Sequence, residues 1–367
     1  MWLAIFGAVL AVSAGGAVYL ICGSHRFSLI KKLGEKHKLL SWIAAAAIPA
    51  VICGSWCIVN IWSVAIVMIH LFIFWMLCDL VVKIVRMISG KKFEKNWAGA
   101  AAIAITAVYL AFGWYFAHHI DITNYQLSSD KIKGQGVRIA LIADSHLGIT
   151  LDGEKFAEQM KRIDECEPDI VVVAGDFVDD DSCKADMERS CQALGEINSK
   201  YGVYFVFGNH DKGYYSEGYR DFSEDDLRKS LTSNGIIILE DEICPIGDDF
   251  LLVGRNDRSN KERLTMEELV NDIDKSKYCI VSDHQPNDYD AEADAGADLV
   301  LSGHTHGGPL FPAGQIGVLF GANDAFYGLE HRKDTDFIVT SGISGWALPF
   351  KTGTKSEIVI VDINRQN

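Results

Sequence analysis

Five short segments beyond residue 135 carry side chains that hold metals or move protons, and each follows an apolar run. They are Asp144-Ser145-His146, Gly175-Asp176-Phe177-Val178-Asp179, Gly208-Asn209-His210-Asp211, Ser282-Asp283-His284-Gln285-Pro286 and Ser302-Gly303-His304-Thr305-His306-Gly307-Gly308. Residues two apart at the end of an extended run project to one side. Asp144 with His146, and His304 with His306, can therefore each offer two donors to one cation. The glycine before Asp176 permits a turn that aims the next carboxylate into a cleft. Asn209 supplies a neutral carbonyl oxygen beside the titratable nitrogens of His210. Taken singly, each segment reads equally well as a turn or a polar surface loop. Taken together they do not. Of the six histidines after residue 120, His146, His210, His284, His304 and His306 fall in these segments and His331 alone lies elsewhere. Mixed imidazole and carboxylate donors suit Mn, Fe, Zn or Co better than Ca or Mg, which favour oxygen alone.

Such donors must be positioned by the elements that precede them. Apolar runs rich in β-branched residues predict strands at Val137–Ala143, Asp169–Ala174, Gly202–Phe207, Ile236–Leu239, Phe250–Gly254, Tyr278–Ser282, Leu299–Ser302, Asp336–Thr340 and Glu357–Asp362. Amphipathic stretches predict helices near Gly153–Cys166, Lys184–Asn198 and Ser223–Ser233. This alternation argues for an α/β domain, with the last strands pairing antiparallel. In open α/β sheets, ligand sites lie outside the carboxyl ends of the strands, which is where all five segments fall.

The ordered set Asp144-x-His146, Gly175-Asp176, Gly208-Asn209-His210-Asp211, His284 and Gly303-His304-Thr305-His306 resembles the calcineurin-like metallophosphoesterase superfamily over roughly residues 136–363. The membrane segments described below, together with the Ser-Gly-His-Thr-His-Gly-Gly block, resemble its bacterial membrane-associated branch. The resemblance implies a four-layer α/β/β/α sandwich holding two divalent metal ions. One ion would take Asp144, His146, Asp176 and His306; the other would take Asp176, Asn209, His284 and His304, with Asp176 bridging. His210 matches the family's non-ligand catalytic histidine. Asp179 matches the acid that orients it in the phosphoprotein phosphatases, although the Arg-Gly that follows there is Asp180-Asp181 here. The implied reaction is hydrolysis of a phosphate ester by a metal-bridging hydroxide, with His210 as general acid and Asp179 or Asp211 fixing its tautomer.

Composition divides the chain near residue 118. Residues 1–117 hold ten Lys/Arg and three acids, a net of +7, whereas residues 118–367 carry −22 of the overall −15. Four apolar stretches, Trp2–Cys22, Leu39–Val59, Ile61–Val82 and Trp97–Ala117, approach the ~20 residues that span a bilayer,. The expected organisation is an all-α anchor of four transmembrane helices over 1–117, a polar tether over 118–135 and the metallophosphoesterase domain over 136–367. Basic residues cluster at Arg26–Lys38 and Lys83–Lys95 and are lacking at the Asn60 turn. The positive-inside bias then places everything after the fourth span outside a bacterial plasma membrane. Asp79 and Lys83 are spaced for a helical ion pair. Of the nine cysteines, five fall beyond residue 117, an odd number that implies no complete disulfide framework; a Cys183–Cys191 bridge is the minority reading, and no CxxC pair or zinc-finger spacing occurs.

The substrate expected is a phosphodiester or phosphomonoester, a lipid-linked one included, because anchoring raises effective concentration at the bilayer. Aromatics in the 307–328 loop, with Trp346, Leu348 and Phe350, are candidates to wall the cleft. The strongly acidic domain counts against nucleic acid as partner, and hence against a nuclease. The missing Arg-Gly weakens a protein-phosphatase reading. A non-enzymatic metal-binding sensor or scaffold is the alternative from another class, and the complete ligand set with His210 argues against it.

Overall fold

The computed structural model describes residues 14–55, 58, 60–90, 93, 95–213 and 219–366. It divides into two compact units, residues 1–112 and 113–367.

The first unit is helical. After a helical stretch over 14–24 come α1 (Ser28–Lys36), α2 (Lys38–Gly54), α3 (Ile61–Ser89) and most of α4 (Trp97–His118). Helices α3 and α4 are long and apolar enough to cross a membrane. Helix α2 has 17 residues, about 26 Å at the helical rise, short of a ~30 Å hydrocarbon core. Residues 2–13 of the first expected span lie outside the described residues, so two of the four expected spanning helices are present at full length among the described residues. Asp79 pairs with Arg26 rather than with Lys83. The guanidinium meets both carboxylate oxygens at 2.8 and 2.6 Å, and the Tyr19 hydroxyl adds a third donor. A bidentate fork outcompetes a single ammonium one turn away. His70 Nδ1 lies 2.8 Å from the Ile66 carbonyl oxygen of its own helix.

The second unit is built on two six-stranded sheets, ordered β1-β12-β2-β3-β4-β5 and β10-β11-β9-β8-β7-β6. In the first, β1 (Ile120–Ser129), β2 (Val137–Ile142), β3 (Ile170–Ala174), β4 (Val203–Val206) and β5 (Ile237–Ile238) join β12 (Ser356–Arg365). The second holds β6 (Glu242–Ile246), β7 (Phe250–Gly254), β8 (Tyr278–Ser282), β9 (Leu299–Ser302), β10 (Gly328–Arg332) and β11 (Thr335–Val339). Strands β2, β3 and β4 run parallel, as do β7, β8 and β9. Strand β12 is antiparallel to β2 and β10 is antiparallel to β11, but β11 is parallel to β9.

Three apolar cores define the layers. Ile139, Val172, Leu252, Ile280, Leu301 and Val361 meet between the sheets. Helices α5 (Gly153–Asp164), α6 (Lys184–Gly195) and α7 (Glu224–Ser233) cover the outer face of the first sheet through Phe156, Met187 and Leu227. On the far side, α8 (Met266–Leu269) and α9 (Tyr289–Ala295) pack Met266, Leu269 and Tyr289 onto Val253, Val281 and Phe337 of the second. Sheets buried on both faces explain why these strands read as continuous apolar runs rather than alternating ones.

Two further readings are corrected. Residues 118–135 are not a tether, because ten of them form β1, paired in parallel with β12 from Ile120↔Ser356 to Ser129↔Arg365. It is an edge strand with one face exposed. Thr123, Asn124 and Gln126 therefore dilute the apolar signal, while Tyr125 and Leu127 still reach the inter-sheet core. The Cys183–Cys191 bridge does not form, and all eight described cysteines are free. Cys183 caps α6 and Cys191 lies two turns on, about 12 Å away along the axis, beyond disulfide reach.

Ile280 is fully buried between the sheets. Ile280→Ala is expected to cost about 2–5 kcal/mol, read as a lowered unfolding temperature of the full chain; a loss near zero contradicts the two-sheet core.

Candidate metal centre

Parallel pairing brings the five segments together. The β2, β3 and β4 ends deliver Asp144, His146, Asp176, Asp179, Asn209 and His210. The β8 and β9 ends deliver His284, His304 and His306. Hydrogen bonds lock neighbouring loops within each sheet. The amides of Asp144 and His146 donate to the carbonyls of Gly175 and Asp176, and that of Gly303 donates to the carbonyl of His284. Two further links cross between the sheets: His284 Nδ1 lies 2.8 Å from the Ala174 carbonyl oxygen, and the His304 amide donates to Asp144 Oδ1 at 2.9 Å.

The local backbone is unusual. Asp144, His146, Asp176, His304 and His306 all have positive φ, between 34° and 69°. A non-glycine residue in the left-handed region costs about 1–3 kcal/mol and persists where its surroundings over-determine it. Two glycines make the crowding feasible. A Cβ on Gly208 would lie 2.2 Å from Asp176 Oδ1, and one on Gly303 would lie 2.8 Å from Asp144 Oδ2.

Six of the seven expected ligands form two clusters, Asp144–His146–His306 and Asp176–His284–His304. In the first, His146 Nε2 is 3.2 Å from His306 Nε2, which is 3.8 Å from Asp144 Oδ1. Asp176 Oδ2 lies between the clusters, 3.7 Å from His146 Nε2 and 3.1 Å from His284 Nε2. The seventh, Asn209, adjoins the second cluster: its carboxamide oxygen is 3.5 Å from Nε2 of Gln285, the residue after His284. Asp144 Oδ2 and His306 Nδ1 are buried without a hydrogen-bond partner. Orphaned donor atoms of this kind are costly unless something binds them. The residues present therefore fit divalent cations, whose charge the carboxylates and imidazole lone pairs would share.

Electrostatics favour this at His304 and His306, whereas burial at His284 is outweighed by Asp176, which raises the pKa of that ring well above its usual range. Burial pushes the Asp144 carboxyl up to about 6 despite the nearby imidazoles. Burial also raises Asp176, but His284, His146 and His210 outweigh it and hold that carboxyl well below its usual range. His304 is pushed down to about 4 by burial and by His284. Burial and His146 drive His306 down as well. Histidines held neutral are the form that ligates metals.

Beside the clusters, Asp179 holds two histidines at once, with His146 Nδ1 and His210 Nδ1 each 3.0 Å from one of its oxygens. Both rings thus present Nε2 on the side away from Asp179. Asp211, the other expected orienter, does something else. Its carboxylate accepts the amides of Asp176, Phe177, Val178 and Gly208 at 2.7–3.1 Å and so ties the β3 loop to the β4 loop. Trp346 is 43% exposed. Its ring stands 5.5 Å from that of His210 and 6.5 Å from that of His306, so it walls the site as expected.

Three supports carry no signal in the sequence. Arg255 is buried with Asp283 and Glu292 and donates to both, at 3.0 and 3.2 Å, bracing the turn that carries His284. Asp257 accepts from Gln285 at 2.8 Å. Lys351 is buried behind Asp144, donates to the carbonyls of Ser341 and Gly342, and is pushed down to about 7 by burial. Each lies far along the chain from the residues it steadies.

Mn²⁺ at a hundredfold excess over Kd is expected to stabilise the fold by about 2.7 kcal/mol, read as a raised unfolding temperature that chelator reverses. Asp211→Asn is expected to cost about 1.5–3 kcal/mol and to reduce bound metal; unchanged metal content would remove its loop-tying role.

Residues 137–308, which hold all five segments, match the family model for calcineurin-like phosphoesterases. An uncharacterized metallophosphoesterase of Aquifex aeolicus is 31% identical over 262 residues, covering 69% of this chain and 95% of its own length. A Danio rerio protein named as a transmembrane protein with a metallophosphoesterase domain is 29% identical over 271 residues, covering 70% of this chain and 60% of its own length. A strand-end donor set inside that match, and a relative so nearly spanned, lead to one conclusion: the chain belongs to the calcineurin-like metallophosphoesterases, a family of metal-dependent phosphoesterases.

Proposed function

We propose that the chain is a dinuclear enzyme hydrolysing a phosphodiester or phosphomonoester at the outer face of a bacterial plasma membrane. The observation that carries this reading is Asp176, whose Oδ2 stands within 3.7 Å of a nitrogen from each of the two donor clusters. One ion would rest on Asp144, His146, Asp176 and His306, and the other on Asp176, Asn209, His284 and His304. When bound, two such ions activate water and offset phosphate charge.

The chain's own residues supply the rest. Asp179 accepts the Nδ1 proton of His210 and so directs Nε2 of that ring toward the site. Burial pulls the His210 pKa down, but Asp179 and Asp176 more than compensate and raise it. An imidazolium is thereby kept available to protonate the departing oxygen. The same carboxylate holds His146 by Nδ1, which leaves its Nε2 lone pair facing the cluster. Trp346 forms one wall beside His210 and His306. The net charge of −22 beyond residue 117 disfavours a polyanionic substrate such as nucleic acid.

Assay of a chromogenic phosphodiester with Mn²⁺ and with chelator tests the reading. Metal-dependent turnover is expected, and none with any divalent metal would favour a metal-binding sensor. Asp176→Asn should abolish activity and weaken both metals. His210→Ala should slow turnover by about 10²–10⁴-fold while metal content stays near that of the parent chain; equal loss of metal contradicts the acid role. The basic loops support the outward orientation, and protease treatment of intact cells should remove the domain. Protection until lysis overturns that orientation.

A further inference from the structure

The domain that carries the metal centre is acidic, yet residues 307–322 contain no charged side chain. This segment includes α10 (Ala313–Leu319), and it exposes rather than buries its large apolar groups. Phe311 is 59%, Leu319 79% and Phe320 81% exposed, with Ile316 also exposed. Soluble surfaces rarely gather such groups into one patch unless something covers it.

Where the ridge is rooted indicates what covers it. Residues 351–354 join three places by hydrogen bonds. The Lys351 amide donates to the carbonyl of Gly113 in α4 at 2.8 Å. The Thr352 amide donates to the Pro309 carbonyl at 2.7 Å, and Thr352 Oγ1 accepts from the Phe311 amide at 3.1 Å. Thr354 Oγ1 donates to the His306 carbonyl at 3.1 Å. One short strap therefore ties the end of a membrane-length helix, the base of the apolar ridge and a metal-site loop. The end of α4 carries Trp114 and Tyr115, both exposed, the residue types that settle at a membrane–water interface. The ridge is linked to that end through Lys351 and Thr352. It also shares a rim with the metal centre, because Asp324, just past it, donates its amide to the Pro286 carbonyl beside His284.

We propose that the ridge from Phe311 to Phe320 seats in the bilayer interface beside the end of α4 and holds the metal centre against phosphate esters carried by lipids. The substrate class rests on the phosphoesterase reading above; the insertion does not. An uncharged patch is what an acidic domain needs to approach anionic headgroups, since charged side chains there would be repelled. Apolar side chains buried a few ångströms deep provide the attraction.

The test uses the full chain in nanodiscs of phosphatidylcholine and phosphatidylglycerol. Fluorescence of a Phe320→Trp variant, less that of the parent chain, should be quenched by brominated phospholipid; absence of quenching overturns insertion whatever the activity. The paired substitution Ile316→Glu with Leu319→Glu, both exposed aliphatics of α10, should leave hydrolysis of a soluble chromogenic diester unchanged. It should cut release of phosphate from phosphatidic acid, or of headgroup from phosphatidylglycerol, by about tenfold. Equal losses on soluble and lipid substrates, or unchanged lipid turnover, overturn the proposal. Parent protein that cleaves the soluble diester but neither lipid sinks the lipid substrate and leaves the phosphoesterase standing. No turnover of any ester sinks the phosphoesterase reading and with it the lipid substrate, while the quenching still decides insertion. Self-association abolished by the same substitutions would show a second copy as the occupant instead.

Discussion

Everything in the metal centre depends on two sheets being packed face to face so that their strand ends meet. Donors from β2, β3 and β4 meet donors from β8 and β9, and no single sheet supplies either cluster. The force that sets this separation is the apolar core between the sheets, which is non-directional and strong. The alignment is refined by two directional links, His284 to the Ala174 carbonyl and the His304 amide to Asp144. With that frame in place, five donor residues are kept in left-handed backbone conformations that an isolated loop would abandon.

Charge is handled by division of labour. Several acids near the site are paired within the fold. Asp211 spends both oxygens on loop amides, and Asp283 faces Arg255 and Arg263. Asp179 faces two imidazoles. The carboxylates that remain with unsatisfied or shared oxygens, Asp144 and Asp176, are the ones placed for cations. Their shifts run in opposite directions, Asp144 upward and Asp176 downward, because Asp176 sits nearer the imidazoles that favour its charge. A fold that buries this many ionisable groups needs either internal pairing or bound ions to offset desolvation; Asp211, Asp283 and Asp179 are paired internally, and Asp144 and Asp176 are the carboxylates left for cations.

Helices α3 and α4 are long and apolar enough to cross a membrane. The second unit begins within α4 at Gly113, and β1 starts two residues after that helix ends. Within that unit β1 pairs with β12 over ten residues, so a strand stands where a polar tether was expected.

Most of the site was legible in the amino-acid order. Metal donors are chemically distinctive, and they follow strands whose burial on both faces leaves uninterrupted apolar runs, so Asp144, His146, Asp176, Asn209, His284, His304 and His306 stand out together. Edge elements were not legible: β1, β6 and β10 are half-solvated and mix polar with apolar residues, which blurs a pattern read one residue at a time. Partner choice was illegible too. Whether Asp179 or Asp211 would orient His210 turns on a few ångströms that spacing cannot resolve, and Arg255, Asp257 and Lys351 act on residues distant in the chain. Local order determines which groups can bind and which segments extend, because propensity and donor chemistry are local properties. Tertiary packing alone decides which carboxylate meets which imidazole, because that depends on how two separately formed sheets come to rest against each other.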